Sequence, residues 1–389
     1  MSIQNSSLEI AVIEPSGRLY GSEYCLLDII DGLQRTQYSW HVFLPQGMGF
    51  DQILLDRGID CELLLPRNLG ELPIWQKSIV YGRILRRLHV LKPDLLYVNQ
   101  AGSLRSAALY ARWLKLPVVC QVQTLEDARW LSSRAQLHDV VQAFICNSLF
   151  IAEETSCDPQ KKNVVYQGLP FERLEAAKNK GTQSSENAQQ GFEEKETFVI
   201  GILGRVAVSK GHYLLIEAVK KLKDLLPTCR VVVIGEGLTP NDTQEYMETV
   251  INSGLASLFE FRGYRQAVSA ELDRLDLLVI PSLAEPLGRV LFDAAEHGLP
   301  VILSDAGGLG EMSKRFDIGV QFKSGDAAAL AERIVYAATN YADIRRDYLE
   351  KSLIMLARLS MQSYLSTIKH ILHTAAARRV SSEVWLGDD

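Results

Sequence analysis

Short apolar runs alternate with helical segments along most of the chain. The runs are rich in Val, Ile and Leu and are continuously apolar, whereas a half-exposed strand would alternate apolar and polar positions. Such strands, separated by helices, are typical of a parallel sheet that helices cover on both faces. We therefore predict an α/β fold with these strands: Leu8–Glu14, Trp40–Leu44, Asp94–Asn99, Pro117–Gln123, Val140–Asn147, Asn163–Gln167, Thr197–Leu203, Arg230–Ile234, Leu258–Phe261, Leu277–Pro281 and Val301–Ser304.

A polar run interrupts this pattern near the middle of the chain. Residues 176–196 carry few large apolar side chains and many Ser, Gln, Asn, Lys and Glu, which is typical of a linker or an insertion. Since 389 residues exceed one domain, we predict two doubly wound, Rossmann-like domains, at 1–175 and 197–340. The remaining residues, 341–389, read as helices rich in Leu, Ala and Arg with a polar end.

Composition excludes several classes of protein. The net charge of -6 and the pI near 5.8 argue against general nucleic-acid binding. No apolar run approaches the roughly 20 residues of a membrane-spanning helix, and the first residues do not resemble a secretory signal. The six cysteines are scattered, so we expect reduced thiols, no metal site and a cytoplasmic protein.

The run Gly201–Gly211 (GILGRVAVSKG) combines a strand end, a glycine turn and two cations. Gly204 lets the backbone turn tightly, and Arg205 and Lys210 precede the next helix. Fixed cations beside a helix N-terminus suit a diphosphate. The same spacing also fits an ordinary strand–helix turn whose cations are solvated.

The run Pro281–Glu311 contains the densest group of candidate residues. Glu285 lies in a loop, and Asp293 follows eight positions later, in a helix that is expected to begin near Gly288. The amides of Leu287 and Gly288 would then form an anion site. Paired carboxylates suit the vicinal hydroxyls of a sugar or a ribose. Alternatively, Glu285 only complements the helix dipole and Asp293 is a surface residue.

Three glycine loops that follow strands give weaker signals. Gly17–Glu23 (GRLYGSE) allows close backbone approach but lacks a complete GxGxxG pattern. Gly235–Gly237 and Gly263–Arg265 are loops that could hold a nucleobase through backbone contacts. Each is equally consistent with an ordinary turn.

The segment from Leu72 to Lys115 is strongly basic. It carries a net charge of +7, with Asp94 as its one anion. Apolar residues such as Trp75 and Ile79 are interleaved with the cations. This pattern fits peripheral contact with the inner face of a membrane, the exposed basic face of an ordinary helix, or a site for an anionic acceptor.

The motifs taken together resemble those of the family 4 glycosyltransferases, which have the GT-B fold. The resemblance rests on the two-domain layout and on GRVAVSKG, GEG, FRGY and EPLGRVLFDAAEHGLPVILSDAGGLGE. It is strongest over Thr197–Glu311 and weaker over Leu8–Gly168. It implies two Rossmann-like domains that face a central cleft, with the C-terminal helices of 341–389 crossing back to the first domain. It also implies transfer of a sugar, with retention, from a nucleotide-diphosphate sugar to a glycan, lipid-linked or small acceptor, without a metal or another cofactor.

The resemblance assigns catalytic roles to three residues. Arg205 and Lys210 would hold the donor diphosphate, and Glu285 would contact hydroxyls of the donor sugar. The amides of Leu287 and Gly288 would bind the sugar and the distal phosphate.

The resemblance also assigns further donor contacts. Asp293 would hold the ribose, and Gly204 belongs to the donor loop. Gly21 would come from the first domain to cover the pyrophosphate. Tyr264 and Arg265 would lie beside the base.

The sequence departs from the family pattern at three places. Asp293 replaces the usual glutamate and is one methylene shorter. Gln123, on the acceptor side, replaces a histidine and cannot titrate, and Gln167 replaces an asparagine before Gly168. Gln123 and Asp293 keep open one alternative to an active transferase, a degenerate GT-B binding or partner subunit. A GT-B nucleotide-sugar epimerase or phosphorylase is a second alternative, over which Glu285 and the GRxxxxKG loop favour the transferase.

Overall fold

A computed structural model describes residues 7–17, 19, 21–33, 37–65, 72–187, 197–222, 225–265 and 267–383. The strands are β1 (Leu8–Ile13), β2 (Tyr38–Pro45), β3 (Asp60–Leu65), β4 (Leu95–Val98), β5 (Val118–Val122), β6 (Val141–Cys146), β7 (Lys162–Val164), β8 (Phe198–Leu203), β9 (Cys229–Ile234), β10 (Phe259–Gly263), β11 (Leu277–Ile280), β12 (Val301–Ser304) and β13 (Val320–Phe322).

Helices alternate with these strands along most of the chain. They are α1 (Gly21–Gly32), α2 (Phe50–Asp56), α3 (Ile74–Leu91), α4 (Leu104–Leu114), α5 (Leu125–Ser132), α6 (Leu149–Glu154), α7 (Phe171–Asn187), α8 (His212–Leu222), α9 (Pro240–Asn252), α10 (Ser269–Leu272), α11 (Arg289–Glu296), α12 (Gly307–Phe316), α13 (Ala327–Thr339), α14 (Tyr341–Arg358) and α15 (Met361–Glu383).

The chain forms two compact units. Unit 1 comprises residues 1–168 and 361–389, and unit 2 comprises residues 169–360. The last helix, α15, therefore lies in unit 1, whereas α14 lies in unit 2. None of the helices described here is long and apolar enough to cross a membrane.

Unit 1 contains a seven-stranded parallel sheet in the order β3-β2-β1-β4-β5-β6-β7. Alternate residues of β1 enter two different cores. Ala11 and Ile13 pack with residues of α3 to α6, while Ile10 and Val12 pack with α1, α2 and α15. The sheet is covered on both faces, and this is why its strands are continuously apolar.

Unit 2 contains a six-stranded parallel sheet in the order β10-β9-β8-β11-β12-β13. From β8 the strand order runs to β9 and β10 on one side and to β11, β12 and β13 on the other, so it reverses between β8 and β11. Ligands of such open sheets bind outside the carboxyl ends of the strands, at the point of reversal. The loops that follow β8 and β11 are therefore where a ligand of this unit is expected.

Each predicted strand is present, and the doubly wound α/β architecture is confirmed. Two strands were not predicted. β3 has the sequence DCELLL, in which acidic residues interrupt the apolar pattern, and β13 has only three residues.

The predicted polar linker at 176–196 begins inside a helix, which corrects that expectation. α7 extends to Asn187, and Ala177 within it is 1% exposed. A polar run can still be helical when a few small side chains provide its buried face. The remainder of the run, 188–196, lies outside the described residues.

Candidate active site

Two loops at the carboxyl ends of β8 and β11 form the candidate site of unit 2. The first turns at Gly204, whose φ is 135°, and its amide donates to the carbonyl of Ile234 (2.9 Å). It then continues through Arg205 to Lys210 before α8 begins. The second loop leads from Pro281 to the start of α11.

The two loops are tied together by close backbone contacts. The amide of Leu283 donates to the carbonyl of Ser209 at 2.9 Å. Gly211 has a φ of 77°, and a Cβ there would lie 2.0 Å from the carbonyl oxygen of Pro281. Only glycine fits both the conformation and the space, so the second loop approaches the first directly.

This approach brings together two residues that are 75 positions apart in sequence. Lys210 Nζ donates to Glu285 Oε2 at 2.5 Å, and Ser282 Oγ donates to the same oxygen at 3.1 Å. The Glu285 side chain is 13% exposed and that of Lys210 is 31% exposed. A mostly buried carboxylate is thus held by one cation and one hydroxyl.

Replacing Gly211 with alanine is expected to destabilise the protein by about 1–3 kcal/mol and to separate the two loops. Thermal unfolding measures the first effect, and nucleotide affinity measures the second. Gly254→Ala is the matched control, because Gly254 has a φ of 73° but open space around the added Cβ. Equal losses of nucleotide affinity in both variants would contradict a specific contact between the loops.

The start of α11 presents free backbone donors beside Glu285. Gly288 caps the helix with a φ of 86°, and the carbonyl of Glu285 accepts from the amide of Gly308 at 2.7 Å. Among the described residues, the amides of Leu287 and Gly288 have no hydrogen-bond acceptor. Unpaired amides at a helix N-terminus attract an anion.

Arg205 adds a second cation to the first loop. It is exposed and makes no ion pair with any residue that the structure describes. Arg205, the α11 amides and Lys210, which also pairs with Glu285, therefore offer an anion several hydrogen-bond donors. This combination suits a diphosphate better than a single carboxylate.

Asp293 has a partner that the sequence did not suggest. Its Oδ1 accepts from Arg173 Nη1 at 3.1 Å, and Arg173 Nε lies 3.5 Å from Glu296 Oε2. Arg173 comes from the first turn of α7 and binds two carboxylates on α11. Its guanidinium thereby fixes the orientation of Asp293.

The predicted base contacts lie further along the same edge of the sheet. Tyr264 and Arg265 follow β10, which is separated from β8 by β9. Tyr264 is 65% exposed, and Arg265 Nε lies 3.3 Å from Glu271 Oε1. They do not contact the Lys210–Glu285 pair.

Two further predicted residues lie in unit 1. Gly21 is the first residue of α1, and Gln123 directly follows β5. The Gln123 side chain donates to that of Gln121, and its carbonyl accepts from Asn147 Nδ2 at 2.9 Å. Their assigned roles remain predictions.

Comparisons with known proteins identify the family. The family model described as glycosyl transferases group 1 matches residues 183–352, and the model described as glycosyltransferase family 4 matches residues 20–173. The chain is a family 4, group 1 glycosyltransferase. Its enzyme class, predicted from the motifs alone, is confirmed.

Relatives and solved structures agree with this assignment. The UDP-Gal:alpha-D-GlcNAc-diphosphoundecaprenol alpha-1,3-galactosyltransferase of Escherichia coli is 28% identical over 73% of this chain and 78% of its own length. The sulfoquinovosyl transferase SQD2 of Arabidopsis thaliana is 25% identical over 81% of this chain and 63% of its own length. The crystal structure of Anabaena HepE in complex with UDP-glucose superimposes with a TM-score of 0.77 at 20% identity, covering 94% and 99% of the two chains. The glycosyltransferase therefore has the GT-B fold, as predicted.

Three residues near the candidate site of the glycosyltransferase were not predicted from the sequence. Arg173 lies three residues before the polar run, in a helix start that Pro170 could have signalled. Ser282 gave no signal beyond its place at a strand end. His212 is fully buried at the start of α8, where burial lowers its pKa to about 4 and its ring packs against Tyr246. It is therefore neutral at pH 7 and adds no charge beside Lys210.

A buried carboxylate pair in unit 1 of the glycosyltransferase was also missed. Glu14, directly after β1, and Glu23, in α1, are both fully buried. Glu14 accepts from Asn99 Nδ2 at 2.5 Å and from the amide of Ser16 at 2.8 Å. Burial, and then the charge of Glu23, raise the pKa of Glu14 to about 8.

This raised pKa predicts a pH-dependent stability of the glycosyltransferase. Between about pH 5 and pH 8, folded Glu14 keeps a proton that the unfolded chain releases. The free energy of unfolding should therefore fall as pH rises through this window, because the folded state holds a proton that the unfolded chain does not. Denaturant unfolding of Glu14→Gln should show a flatter profile, whereas Glu332→Gln, at an exposed carboxylate, should match the wild type. An unchanged slope in Glu14→Gln would contradict the assignment.

Proposed function

We propose that this glycosyltransferase moves a sugar from a nucleotide-diphosphate sugar to a hydroxyl of a glycan, lipid-linked or small acceptor. The reaction retains the anomeric configuration and uses no metal ion. The observation that carries the proposal is the Lys210–Glu285 pair beside the unpaired amides of α11. It lies at the point of strand-order reversal in unit 2, where open α/β sheets bind ligands.

The donor diphosphate takes the anion site. Arg205 and Lys210 neutralise it, and the amides of Leu287 and Gly288 donate to the distal phosphate and the sugar. Glu285 accepts hydrogen bonds from sugar hydroxyls, and Lys210 Nζ orients its carboxylate. One lysine thus serves both the phosphate and the carboxylate.

The same groups stabilise the transition state. The departing diphosphate gains negative charge as the glycosidic bond breaks, and fixed cations and amides stabilise that charge without reorganising. A retaining reaction through a covalent carboxylate needs a nucleophile at the anomeric carbon. Because Glu285 is engaged with hydroxyls, we favour front-side attack, in which a diphosphate oxygen takes the proton of the acceptor hydroxyl.

Asp293 is assigned to the ribose hydroxyls, with Arg173 as its positioning residue. Asp293→Ala should weaken nucleotide binding by about 10–100-fold, since hydrogen bonds to a charged group contribute about 1.5–3 kcal/mol. Calorimetric titration of the nucleoside diphosphate measures this. Glu296→Ala is the matched control, because Glu296 is the other carboxylate that Arg173 contacts. Equal weakening in both variants would place the ribose elsewhere.

The acceptor side is proposed from the name of a relative and from the charge of one segment. The Escherichia coli relative acts on a diphosphoundecaprenol-linked sugar, and this chain carries a basic segment over 72–115. We therefore include a lipid-linked acceptor and peripheral contact with the inner face of a membrane in the proposal. Gln123 is offered as an acceptor-side hydrogen-bonding residue, and Gly21 as the unit 1 residue that approaches the pyrophosphate.

The stereochemical test uses slow donor hydrolysis, which needs no acceptor. UDP-, GDP- and ADP-sugars are incubated with the enzyme in EDTA, and proton NMR follows the anomer that is released first. The proposal expects one donor to be consumed with the anomeric configuration of the donor retained. Release of the inverted anomer, or complete loss of turnover in EDTA with recovery on adding a divalent cation, would overturn it. Folded protein that consumes no donor would favour the degenerate-subunit alternative.

A further inference from the structure

The sheet of unit 2 has two different faces over β8, β9 and β10. One face packs into a hydrophobic core through alternate residues of β8 and β9: Phe198, Ile200, Val231 and Val233. Side chains alternate between the two faces of a strand, and the register pairs Val199 with Arg230 and Val232 with Glu260. These four residues, with Arg262 two positions after Glu260, therefore lie on the opposite face, which mixes apolar and charged side chains.

A cavity lies on this second face because the helix beside it is short. The strand order places β9 and β8 between β10 and β11, and α10, in the connection from β10 to β11, has four residues. Four residues of helix extend about 6 Å, whereas a strand of six residues such as β9 extends about 20 Å. α10 thus leaves part of the face uncovered, and a cavity of about 300 Å³ remains there.

The cavity lies away from the loops of the candidate active site. Its lining residues come from β8, β9 and β10, from Thr197 and from the segment 271–275, and none of these lining residues belongs to the loops that follow β8 and β11. Leu275 packs directly on the backbone of β8, since a Cβ on Gly201 would lie 2.2 Å from Leu275 Cδ1. The volume is at the lower end of the range for small-molecule sites, so a compact ligand is expected.

Three arginines from different elements line the cavity. Arg230 lies on β9, Arg262 lies on β10, and Arg274 follows α10. Arg230 is exposed and makes no ion pair with any residue that the structure describes. Arg262 Nε is buried and has no hydrogen-bond partner among the described residues, and Glu271 Oε2 lies 3.7 Å from it. A buried donor without a partner is costly, and an acceptor bound in the cavity can supply the missing hydrogen bond.

Two glutamates line the cavity beside these arginines. Glu260 Oε1 lies 2.8 Å from Arg262 Nη2. The Glu271 side chain is 12% exposed, and Glu271 Oε2 also lies 3.9 Å from Arg274 Nη1. Carboxylate oxygens that are held in this way can accept further hydrogen bonds from the hydroxyl groups of a ligand. The cavity therefore offers cations to an anionic group and acceptors to hydroxyls.

We propose that this cavity binds a compact phosphomonoester that carries hydroxyl groups, such as a sugar phosphate. Guanidinium groups bind phosphate oxygens through paired hydrogen bonds. A phosphomonoester presents three terminal oxygens in different directions, which suits arginines from three elements better than the two coplanar oxygens of a carboxylate do. Glu260 and Glu271 accept from the hydroxyls, and the apolar carbon atoms of the ligand pack on Val199 and Val232. We call the site, lined by Val199, Arg230, Val232, Arg262, Glu271 and Arg274, the arginine cavity.

A nucleoside diphosphate fits the arginine cavity less well. Nucleobases are commonly stacked on aromatic rings, and no aromatic side chain is among the residues that line this cavity. The proposal therefore goes beyond the transfer reaction and concerns a second ligand, and it does not depend on the donor site.

The test is calorimetric titration of the full chain with glucose 6-phosphate and with glycerol 3-phosphate. The proposal expects at least one of these esters to bind, with one molecule per chain in the arginine cavity. Glucose without the phosphate should not bind, and inorganic phosphate should bind more weakly because it offers no sugar hydroxyls to the glutamates. Absence of binding by both esters, or equal binding of glucose, would overturn the proposal. Equal affinity for inorganic phosphate would also overturn it, in favour of a general anion site.

Variants place the binding in the arginine cavity. Arg230→Gln should weaken ester binding by about 10–100-fold, since a hydrogen bond between charged groups is lost. Arg262→Gln should weaken it by a similar factor, and thermal unfolding checks that each variant is folded. Arg333→Gln is the matched control, because Arg333 is an exposed arginine on α13 of the same unit. Wild-type ester binding by folded Arg230→Gln and Arg262→Gln, or equal weakening by Arg333→Gln, would contradict the site.

The donor site is tested separately, because it also attracts phosphates. Lys210→Ala should bind the ester as the wild type does, and Arg230→Gln should keep the wild-type melting shift with nucleoside diphosphate. Ester binding that is lost in Lys210→Ala but kept in Arg230→Gln would overturn the proposal and place the ester in the donor site. Loss of the nucleotide shift in the wild type, with ester binding intact, would contradict the donor site alone.

Discussion

Lys210→Ala is expected to lower kcat by at least about 10²–10³-fold, the cost of removing one preorganised donor from a developing oxyanion. The structure adds a second penalty. Lys210 is the cation bound to Glu285, so its removal leaves a mostly buried carboxylate unneutralised beside the diphosphate. The donor KM should therefore rise as well. Steady-state kinetics of donor hydrolysis separate the two effects.

Lys221→Ala is the control for this prediction. Lys221 is an exposed lysine on α8 in the same unit, so the net charge changes equally. Thermal unfolding of both variants checks that the fold is intact. If Lys210→Ala kept wild-type kcat and KM, the unit 2 site would be wrongly placed.

Glu285→Ala is expected to lower kcat by about 10²–10³-fold through a different route. Its carboxylate would lose hydrogen bonds to sugar hydroxyls, while Lys210 remains free to hold the diphosphate. Affinity for the nucleoside diphosphate alone should be unchanged or stronger. Calorimetry measures the affinity for the nucleoside diphosphate, and kinetics with the complete nucleotide-sugar donor measure the loss of kcat.

Two further variants sharpen the interpretation. Glu285→Gln keeps an acceptor oxygen and should retain more activity than the alanine variant. The double Lys210→Ala, Glu285→Ala variant should be little worse than Lys210→Ala, because the two residues act as one unit. If the losses of kcat in the two single variants added fully in the double variant, the two residues would not act as one unit. If Glu285→Ala lost affinity for the nucleoside diphosphate, Glu285 would not act on the sugar alone.

The apolar pattern predicted the architecture because buried parallel strands have a distinctive composition. Leu277–Pro281 is apolar throughout, since helices cover both faces of β11. β3 was not predicted because Asp60 and Glu62 interrupt the apolar pattern of its sequence. α7 was not predicted because most of it lies within the polar run 176–196, which carries few large apolar side chains.

The candidate site was predictable in its loops but not in its contacts. Glycines and cations after strand ends can be read directly, as at Gly204 and Lys210. The Lys210–Glu285 pair depends on which strands are neighbours, and spacing along the chain does not encode that. The Arg173–Asp293 pair joins residues 120 positions apart through the packing of two helices, so no local motif reports it.

The most direct test of the account is thermal unfolding with UDP, GDP and ADP in EDTA. A ligand at 100 times its dissociation constant adds about 2.7 kcal/mol to the folded state, a shift of about 5–10 °C for a unit of this size. The account predicts that one nucleotide stabilises the wild type and Lys221→Ala but shifts Lys210→Ala far less. No shift with any nucleotide in folded protein, or an equal shift in Lys210→Ala, would contradict the donor site proposed in unit 2.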